Sequence, residues 1–412
     1  MGRSVSTLLF AVVLGWSPMG CDDGDDPVNH PEDQDAELDS FDSDDCEGEQ
    51  HETEQSEVVL CQREAVANPQ AAVSTALLAL GTFPNAIAVD GGYAYVVNSG
   101  DNAVQRYELG NPSASQASFI TLGKDQSPYD LAISGEYVFV SNNLGNTLAV
   151  GMKSGGEAAL VSDDSIRAPQ DVLVTEEYIL VAATEFSYPA PSERFGSLLV
   201  FSREAEPKFL RRIETSYSNP QFLQRYGEDV LVISSGATDF DLETYLLSPL
   251  TEGGVDRFSL DTLLTAAGPE RSFPLGMNGL IGNPGRPALI GDLLFLGSGT
   301  APTLFVLDLS TNQVLHDAQS PLRVFDAGSA NALVAPFAGP FGLLYVLDFN
   351  NDALWVYEPG CGEWLLGPLD IGESEELMEG PLDLAWSDDT HAHVLMSVSS
   401  SITAIDVGAL TR

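Results

Sequence analysis

Short apolar runs dominate the chain beyond residue 70. They are four to six residues long, rich in Val, Leu, Tyr and Phe, and separated by Gly, Asn, Asp and Pro. Alternating or wholly apolar runs of this length between turn residues predict β-strands. Helical spacing is not kept over three turns, although Leu242 to Leu250 would fit one short helix. The pattern therefore predicts an all-β body.

The strand pattern recurs with a period of about 46 residues, the length of a four-stranded propeller blade. Seven copies begin at Pro84, Pro128, Pro169, Pro220, Pro284, Gly339 and Pro381. Each copy supplies three strands. The predicted fourth strands are Ser118 to Leu122, Ala158 to Val161, Lys208 to Ile213, Leu322 to Phe325 and Trp364 to Ile371. An unpaired run at the start, Ala76 to Leu80, is predicted to complete the last blade and close the ring, which removes an exposed sheet edge.

Two copies resemble a known repeat. The run YVVN at 95–98, followed by Asn102, and the run YVLD at 345–348, followed by Asp352, resemble the YVTN-type β-propeller repeat, a relative of the NHL and lactonase-like propellers. The resemblance implies a seven-bladed β-propeller over residues 71–412. It does not select an activity, because such propellers include surface-layer proteins, binding modules, lactonases and lyases.

The first 20 residues have the pattern of a signal peptide. An apolar run from Thr7 to Leu14 follows Arg3, the only charge before Cys21, and is too short to span a bilayer. Gly20-Cys21 resembles the bacterial lipoprotein signal, which implies lipid on Cys21 and a place in the cell envelope, on the periplasmic or surface face of a bacterial membrane. The alternative is an ordinary signal peptide cleaved nearby. If Cys21 carries lipid, we expect the membrane to be a partner through that residue.

Acidic residues concentrate directly after Cys21. Residues 22–57 contain 17 acids and no Lys or Arg, which predicts a disordered acidic linker over residues 21–70. The whole chain has a net charge of -44, and residues 58–412 keep 44 acids against 16 bases. Nucleic acid is therefore not expected as a partner, since phosphates bind clustered Lys and Arg.

The cysteines leave two pairings open. If Cys21 carries lipid, Cys46, Cys61 and Cys361 remain in an oxidising compartment, and one of them has no partner. Cys46 with Cys61 would close a short loop in the linker, whereas Cys61 with Cys361 would join the N-terminal segment to the body. The local pair is favoured, but the sequence alone does not decide.

One face of the predicted ring collects polar loops. Loops between second and third strands share this face with the connections between blades, and they place Asn98, Asn142 and Asp348 around the expected channel mouth. These residues are candidate ligand contacts, although Asn and Asp are also common turn residues. An insertion in the third copy adds Tyr188 and Arg194 as candidates on the same face.

An insertion in the fourth copy suggests a metal. Asp239, Asp241 and Glu243 occupy alternate positions, so in an extended segment their carboxylates would face one side and suit Ca²⁺. The segment lacks the Gly of the D-x-[DN]-x-[DN]-G loop, and a solvated loop is the alternative. His391 and His393 have no evident third ligand, and no nucleophile elbow, zinc-protease motif or P-loop is present.

These features favour a lipid-anchored cell-envelope β-propeller that acts as a binding or interaction module through its loop-rich face. Its partner would be an envelope protein, a glycan or a small ligand. The alternative is a metal-dependent, lactonase-like hydrolase or lyase that uses the central channel. The alternative requires three or four acidic or amide side chains to converge within coordination distance in that channel.

Overall fold

A computed structural model describes residues 68–74, 80–109, 111–184, 196–240, 247–277, 284–299, 301–325, 333–372 and 378–410. In these residues the regular structure is β-strand, numbered β1 to β32 in chain order, apart from short 3-10 turns at Pro69–Ala72, Pro340–Gly342 and Val407–Ala409. No helix in this part of the chain is long and apolar enough to cross a membrane.

The strands form seven antiparallel sheets that are the blades of a β-propeller, as the sequence predicted. The inner strands are β2 (Pro84–Asp90), β6 (Pro128–Ser134), β11 (Pro169–Val174), β15 (Pro220–Tyr226), β21 (Pro284–Ile290), β26 (Val334–Ala338) and β30 (Pro381–Trp386). The second strands are β3 (Tyr93–Asn98), β7 (Tyr137–Asn142), β12 (Tyr178–Ala183), β16 (Asp229–Ser234), β22 (Leu293–Ser298), β27 (Leu344–Asp348) and β31 (His391–Met396).

The third and fourth strands complete each blade on its outer side. The third strands are β4 (Ala103–Glu108), β8 (Thr147–Met152), β13 (Ser197–Ser202), β19 (Gly254–Ser259), β23 (Thr303–Asp308), β28 (Ala353–Glu358) and β32 (Ser401–Asp406). The fourth strands are β5 (Asn111–Thr121), β10 (Ala159–Ser162), β14 (Phe209–Glu214), β20 (Arg271–Pro274), β24 (Gln313–His316), β29 (Glu363–Asp370) and β1 (Val73–Ser74). Short additions are β9 (Gly156–Glu157) beside β5 and β25 (Leu322–Arg323) beside β23.

Seven apolar cores lie between neighbouring blades, one at each interface of the ring. The second strands are buried on both faces between these cores, and β3 and β7 each show five consecutive buried residues. This double burial is why their sequences are wholly apolar rather than alternating. The core that joins Ile87 and Val96 of the first blade to Leu395 and Ile402 of the last shows that the ring is closed.

The N-terminal segment supplies the outer strand of the last blade. Val73 pairs with Ile405 and Ser74 with Ala404 in antiparallel register. The predicted closing strand therefore exists, but it begins three residues before the predicted Ala76, and residues 75–79 lie outside the described part of the chain. The Leu80 amide donates to the Ser400 carbonyl at 2.9 Å, so the chain is again beside the last blade there.

Three predicted elements are wrong in detail. The sixth inner strand is β26, five residues before the predicted start at Gly339, and Pro340–Gly342 is the turn that follows it. The fifth blade takes β24 as its main outer strand, with the predicted Leu322 region adding only the short β25. The short helix over Leu242 to Leu250 is replaced at its end by β18 (Leu247–Pro249), which forms a hairpin with β17 (Thr238–Phe240).

Polar turn residues fix the loop-rich face. Asn102, Asn146 and Asp352, each the last residue of a turn between second and third strands, have φ of 52°, 51° and 49°. Their side-chain oxygens accept amides of the connection that leads to the next blade, as in the 2.7 Å bond from the Ala168 amide to Asn146. Asn and Asp therefore act here as turn residues, and their side-chain hydrogen bonds join neighbouring blades.

Candidate ligand site at the channel mouth

The inner strands begin at the loop-rich face, because the connections between blades lead into them. Their third residue, or its equivalent in register, forms one layer around the channel close to its mouth. In blade order this layer is Ala86, Asp130, Asp171, Phe222, Arg286, Ala335 and Asp383. The layer is asymmetric, with three acids, one base and one aromatic side chain among small residues.

Arg286 crosses part of the channel. It belongs to the fifth blade, yet its Nη1 lies 3.2 Å from Oδ1 of Asp383 on the seventh blade. The sixth blade has only Ala335 at this level, which leaves room for the crossing. The guanidinium lies 5.2 Å from the Phe222 ring and 5.5 Å from the Phe337 ring, within the range of cation–π attraction.

The three aspartates also bind backbone amides of the following blade. A bulge near the start of the inner strands exposes an amide to the preceding blade. The Val172 amide donates to Asp130 at 3.2 Å and the Leu223 amide to Asp171 at 2.6 Å. The Ile87 amide donates to Asp383 at 2.9 Å across the closure of the ring. These contacts, which we call carboxylate latches, fix the aspartates at the channel wall.

The channel shifts the ionisation of these groups. Burial, together with the charge of Asp171 and a hydrogen bond to it, raises the pKa of Asp130 well above its usual value. Burial also raises the pKa of Asp383, although Arg286 opposes that shift. Burial raises the pKa of the neighbouring Tyr129 to about 12. These effects favour the protonated form of Asp130 relative to an ordinary Asp. Arg286 stays charged among carboxylates that raise its pKa against the effect of burial.

The candidates predicted from the loops occupy other positions. Asn98, Asn142 and Asp348 end their strands with at most 1% of their surface exposed. The Asn98 amide donates to Gln105, the Asn142 amide donates to Thr147, and Asp348 accepts from Asn351 in its own turn. Their side chains are thus turned into the blades and away from the channel mouth.

The remaining predicted site residues are largely outside the described part of the chain. This applies to Cys21, Tyr188, Arg194, Asp241 and Glu243, and Asp239 is described only as part of β17. Within the described residues, no three His, Cys, Asp or Glu side chains form a group suited to a metal ion.

Sequence reasoning missed the channel layer, although a signal was present. The tripeptides PYD, PQD and PLD at 128–130, 169–171 and 381–383 place an acid at the same offset in three copies. A repeated acid in an otherwise apolar strand indicates a specific partner, since a carboxylate is rarely buried without one. Arg286 has the same offset from Pro284 and carries the opposite charge, so it too indicates a specific partner.

A second cleft, of about 280 Å³, lies on the opposite face between the first two blades. Lys153 forms an ion pair with Asp90 there, and the guanidinium of Arg106 lies 4.6 Å from the Tyr93 ring. Its principal charged groups thus bind one another or a neighbouring ring, whereas in the channel layer Asp130 and Asp171 also adjoin each other.

The fold and the channel layer define the chain as a seven-bladed β-propeller. No protein-family model and no curated protein matches the sequence. Among solved structures, a streptogramin B lyase is similar with a TM-score of 0.58 and 11% identity, over 81% of this chain and 96% of that one.

Two further structures show the same likeness. A catalytically inactive histidine-to-alanine variant of virginiamycin B lyase from Staphylococcus aureus, solved with quinupristin, has a TM-score of 0.59 and 12% identity, over 81% of this chain and 99% of that one. Hydrazine synthase of Kuenenia stuttgartiensis has a TM-score of 0.58 and 12% identity, over 81% and 97%. At such identities the likeness establishes the propeller fold alone.

Proposed function

We propose that this protein is a lipid-anchored propeller of the bacterial cell envelope that binds a small organic ligand at the channel mouth of its loop-rich face. The observation that carries the proposal is the convergence of Arg286, Asp130, Asp171 and Asp383 in one layer. Convergent ionisable groups with shifted pKa values are typical of functional sites. Repulsion between the adjacent carboxylates of Asp130 and Asp171 opposes stability, so stability alone does not explain the layer.

The chemistry of the layer indicates the class of ligand. Asp130 is hydrogen-bonded to Asp171 on the adjacent blade, so an amine or hydroxyl donor from a ligand can take the place of that hydrogen bond and bind both carboxyl groups. The Phe222 ring is partly exposed beside the Arg286 guanidinium, whereas Phe337 beneath it is buried in the core between the sixth and seventh blades. An organic amine or a polyol such as an oligosaccharide fits both features.

Thermal-shift measurements test the binding proposal. The probes are spermidine, glucosamine and chitotriose, each titrated against the purified chain. Binding at a hundredfold excess over Kd adds about 2.7 kcal/mol to stability, which is about 4 °C for a body of this size. The shift should be lost in Asp171→Asn and Arg286→Gln, each compared with its own baseline, and kept in Glu157→Gln, which alters an exposed acid. No shift with any probe, or shifts that survive both channel variants, would contradict the proposal.

The anchor is supported by the apolar run before Cys21 and the acidic segment after it. The relation to YVTN-type repeats and to lipoproteins belongs to the same proposal. Expressed in a bacterium, the chain should incorporate labelled palmitate and sediment with membranes, and Cys21→Ser should lose both properties. A wild-type chain that carries no label and stays in the supernatant would refute the anchor and leave the ligand site to be tested separately.

Calcium binding at the fourth-copy insertion remains a prediction of the sequence. Isothermal titration with Ca²⁺ alone should give one site, which the triple exchange of Asp239, Asp241 and Glu243 to Asn, Asn and Gln removes. Equal titrations of the two proteins would refute it. The hydrolase or lyase alternative gains no specific observation from the described residues.

A further inference from the structure

A disulfide holds the sixth blade at the face opposite the channel mouth. Cys361 lies in the turn between β28 and β29, a turn between third and fourth strands, and it is disulfide-bonded. Chain direction reverses at every strand, so these turns lie on the other face from the connections between blades. The three other cysteines, at 21, 46 and 61, all precede residue 68. The partner of Cys361 therefore belongs to the N-terminal segment.

The disulfide of Cys361 contradicts the pairing of Cys46 with Cys61 that the sequence favoured. A local bond between Cys46 and Cys61, with lipid on Cys21, would have left Cys361 without a partner. The structure instead gives Cys361 a bond. The sequence could not show this, because the spatial approach of the N-terminal segment to the sixth blade is set by the closure of the ring.

The N-terminal segment enters the fold beside the sixth blade. Gln70 donates its side-chain amide to the Asp370 carbonyl at 2.8 Å, at the far end of β29 from Cys361. Ala72 is 4% exposed and packs in the core shared by the sixth and seventh blades. The position of the chain at residue 70 is thus fixed against the outer strand that starts next to Cys361.

Chain length selects the partner. Cys361 and Asp370 are nine residues apart, a span of at most about 30 Å in an extended strand. Cys61 and Gln70 are also nine residues apart and can cover about the same distance. Cys61 therefore reaches Cys361, and the closure entropy, which grows with loop length, favours it over the more distant Cys46.

We propose that Cys61 and Cys361 form a disulfide that fixes the N-terminal segment along the outer edge of the sixth blade. The bond forms by exchange with the disulfide of a dithiol oxidoreductase: the two cysteine thiols lose two protons and two electrons, and the oxidoreductase disulfide takes them up as two thiols. The bond would place the C-terminal end of the acidic linker, at Cys61, on the face opposite the channel mouth. In the anchored protein, a point that rests on the proposed function, the channel mouth then faces away from the membrane.

Peptide mapping without reduction tests the pairing. Trypsin alone leaves Cys46 and Cys61 in one peptide, because no Lys or Arg lies between Arg3 and Arg63. A glutamyl endoprotease separates them by cutting after Glu47, Glu57 and Glu64. We expect a linked pair that contains Cys61 and Cys361 in the wild type and in the control Cys46→Ser, and none in Cys61→Ser. A link from Cys361 to Cys46 or Cys21, or alkylation of Cys361 before reduction, would overturn the proposal.

Fluorescence quenching tests the orientation without relying on the lipid. A histidine tag replaces residues 1–21 and attaches the chain to nickel-bearing vesicles that contain an acceptor dye. A donor is placed by an unnatural amino acid either at Lys124, exposed on the loop-rich face, or at Ser154, exposed on the opposite face. Quenching should be at least about twofold stronger at position 154, and Cys361→Ser should abolish the difference. Equal quenching in the parent protein would overturn the orientation, whereas failure of palmitate labelling would affect only the proposed anchor.

Discussion

Replacing Asp383 with Ala removes the carboxylate at the point where the ring closes. Its Oδ2 accepts the Ile87 amide of the first blade at 2.9 Å, and its Oδ1 accepts the Leu384 amide at 2.8 Å. The same Oδ1 lies 3.2 Å from Nη1 of Arg286. Only 4% of Asp383 is exposed, so water has little access to replace the lost acceptor.

The expected cost follows from these contacts. Hydrogen bonds to a charged group contribute about 1.5–3 kcal/mol each, and loss of one partner of a buried ion pair costs about 3–5 kcal/mol. These contributions overlap at one carboxylate, and Arg286 is 25% exposed and regains hydration from the channel. We expect the free energy of unfolding to fall by about 4 kcal/mol. For about 340 folded residues this lowers Tm by about 6 °C.

Urea unfolding and calorimetry of four variants provide the measurement. Asp383→Asn keeps one acceptor oxygen, which serves either the Ile87 or the Leu384 amide but not both, and it loses the charge, so it should cost less than Asp383→Ala. Asp171→Ala removes the latch to Leu223 and should cost about 2 kcal/mol. Glu157→Ala changes an exposed side chain and should cost less than about 0.5 kcal/mol. If Asp383→Ala costs no more than Glu157→Ala, the carboxylate does not hold the ring closed and the reasoning fails.

Three further predictions concern stability. Asp352→Ala removes the acceptor of the Glu379 and Gly380 amides and should lower the free energy of unfolding by about 2 kcal/mol in urea titrations, with Asp352→Asn as the milder control. Trp386→Phe loses the 3.0 Å bond from its indole nitrogen to the Ala338 carbonyl between the last two blades and should cost about 1 kcal/mol; an unchanged urea midpoint would contradict this. Stability should rise as pH falls from about 7 to about 5, because the folded state, in which burial raises carboxyl pKa values, binds more protons there than the unfolded chain. The urea midpoint measures this, and a midpoint that falls over that range would contradict it. The carboxyls with raised pKa values are Asp130, Asp256, Asp348, Asp352 and Asp383.

The architecture could be predicted because every blade packs against its two neighbours in the same way. Each second strand lies between two apolar cores, so its sequence is apolar and recurs with the period of the blade. The sixth inner strand was missed because Pro336 interrupts it. Proline is tolerated there because β26 pairs only with β27 in its sheet, leaving one side of the strand without a ladder partner.

The candidate site was harder to predict because side-chain direction is not visible in loop composition. Asn98 and Asn142 lie next to the expected loops, but they are the last residues of β3 and β7 and are buried in the blades. Asp383 and Arg286 lie on different strands, and only the closed ring brings them to one layer of the channel. Their shared offset after a proline was visible, whereas the meeting of opposite charges across the sixth blade depends on the small side chain of Ala335.

The distribution of latches separates the structural from the ligand-binding role of the channel layer. Carboxylate latches join the second blade to the third, the third to the fourth and the seventh to the first. The sixth blade supplies Ala335 at this level, and the ion pair from Arg286 to Asp383 spans its two interfaces instead. That pair therefore has a structural reason to exist. Asp130 and Asp171 use one oxygen each for their latches, yet Asp130 is also hydrogen-bonded to Asp171, a contact that ring closure does not require. A ligand would therefore gain most binding free energy at this carboxyl pair. Asp130→Asn should reduce the binding free energy by more than it reduces the free energy of unfolding.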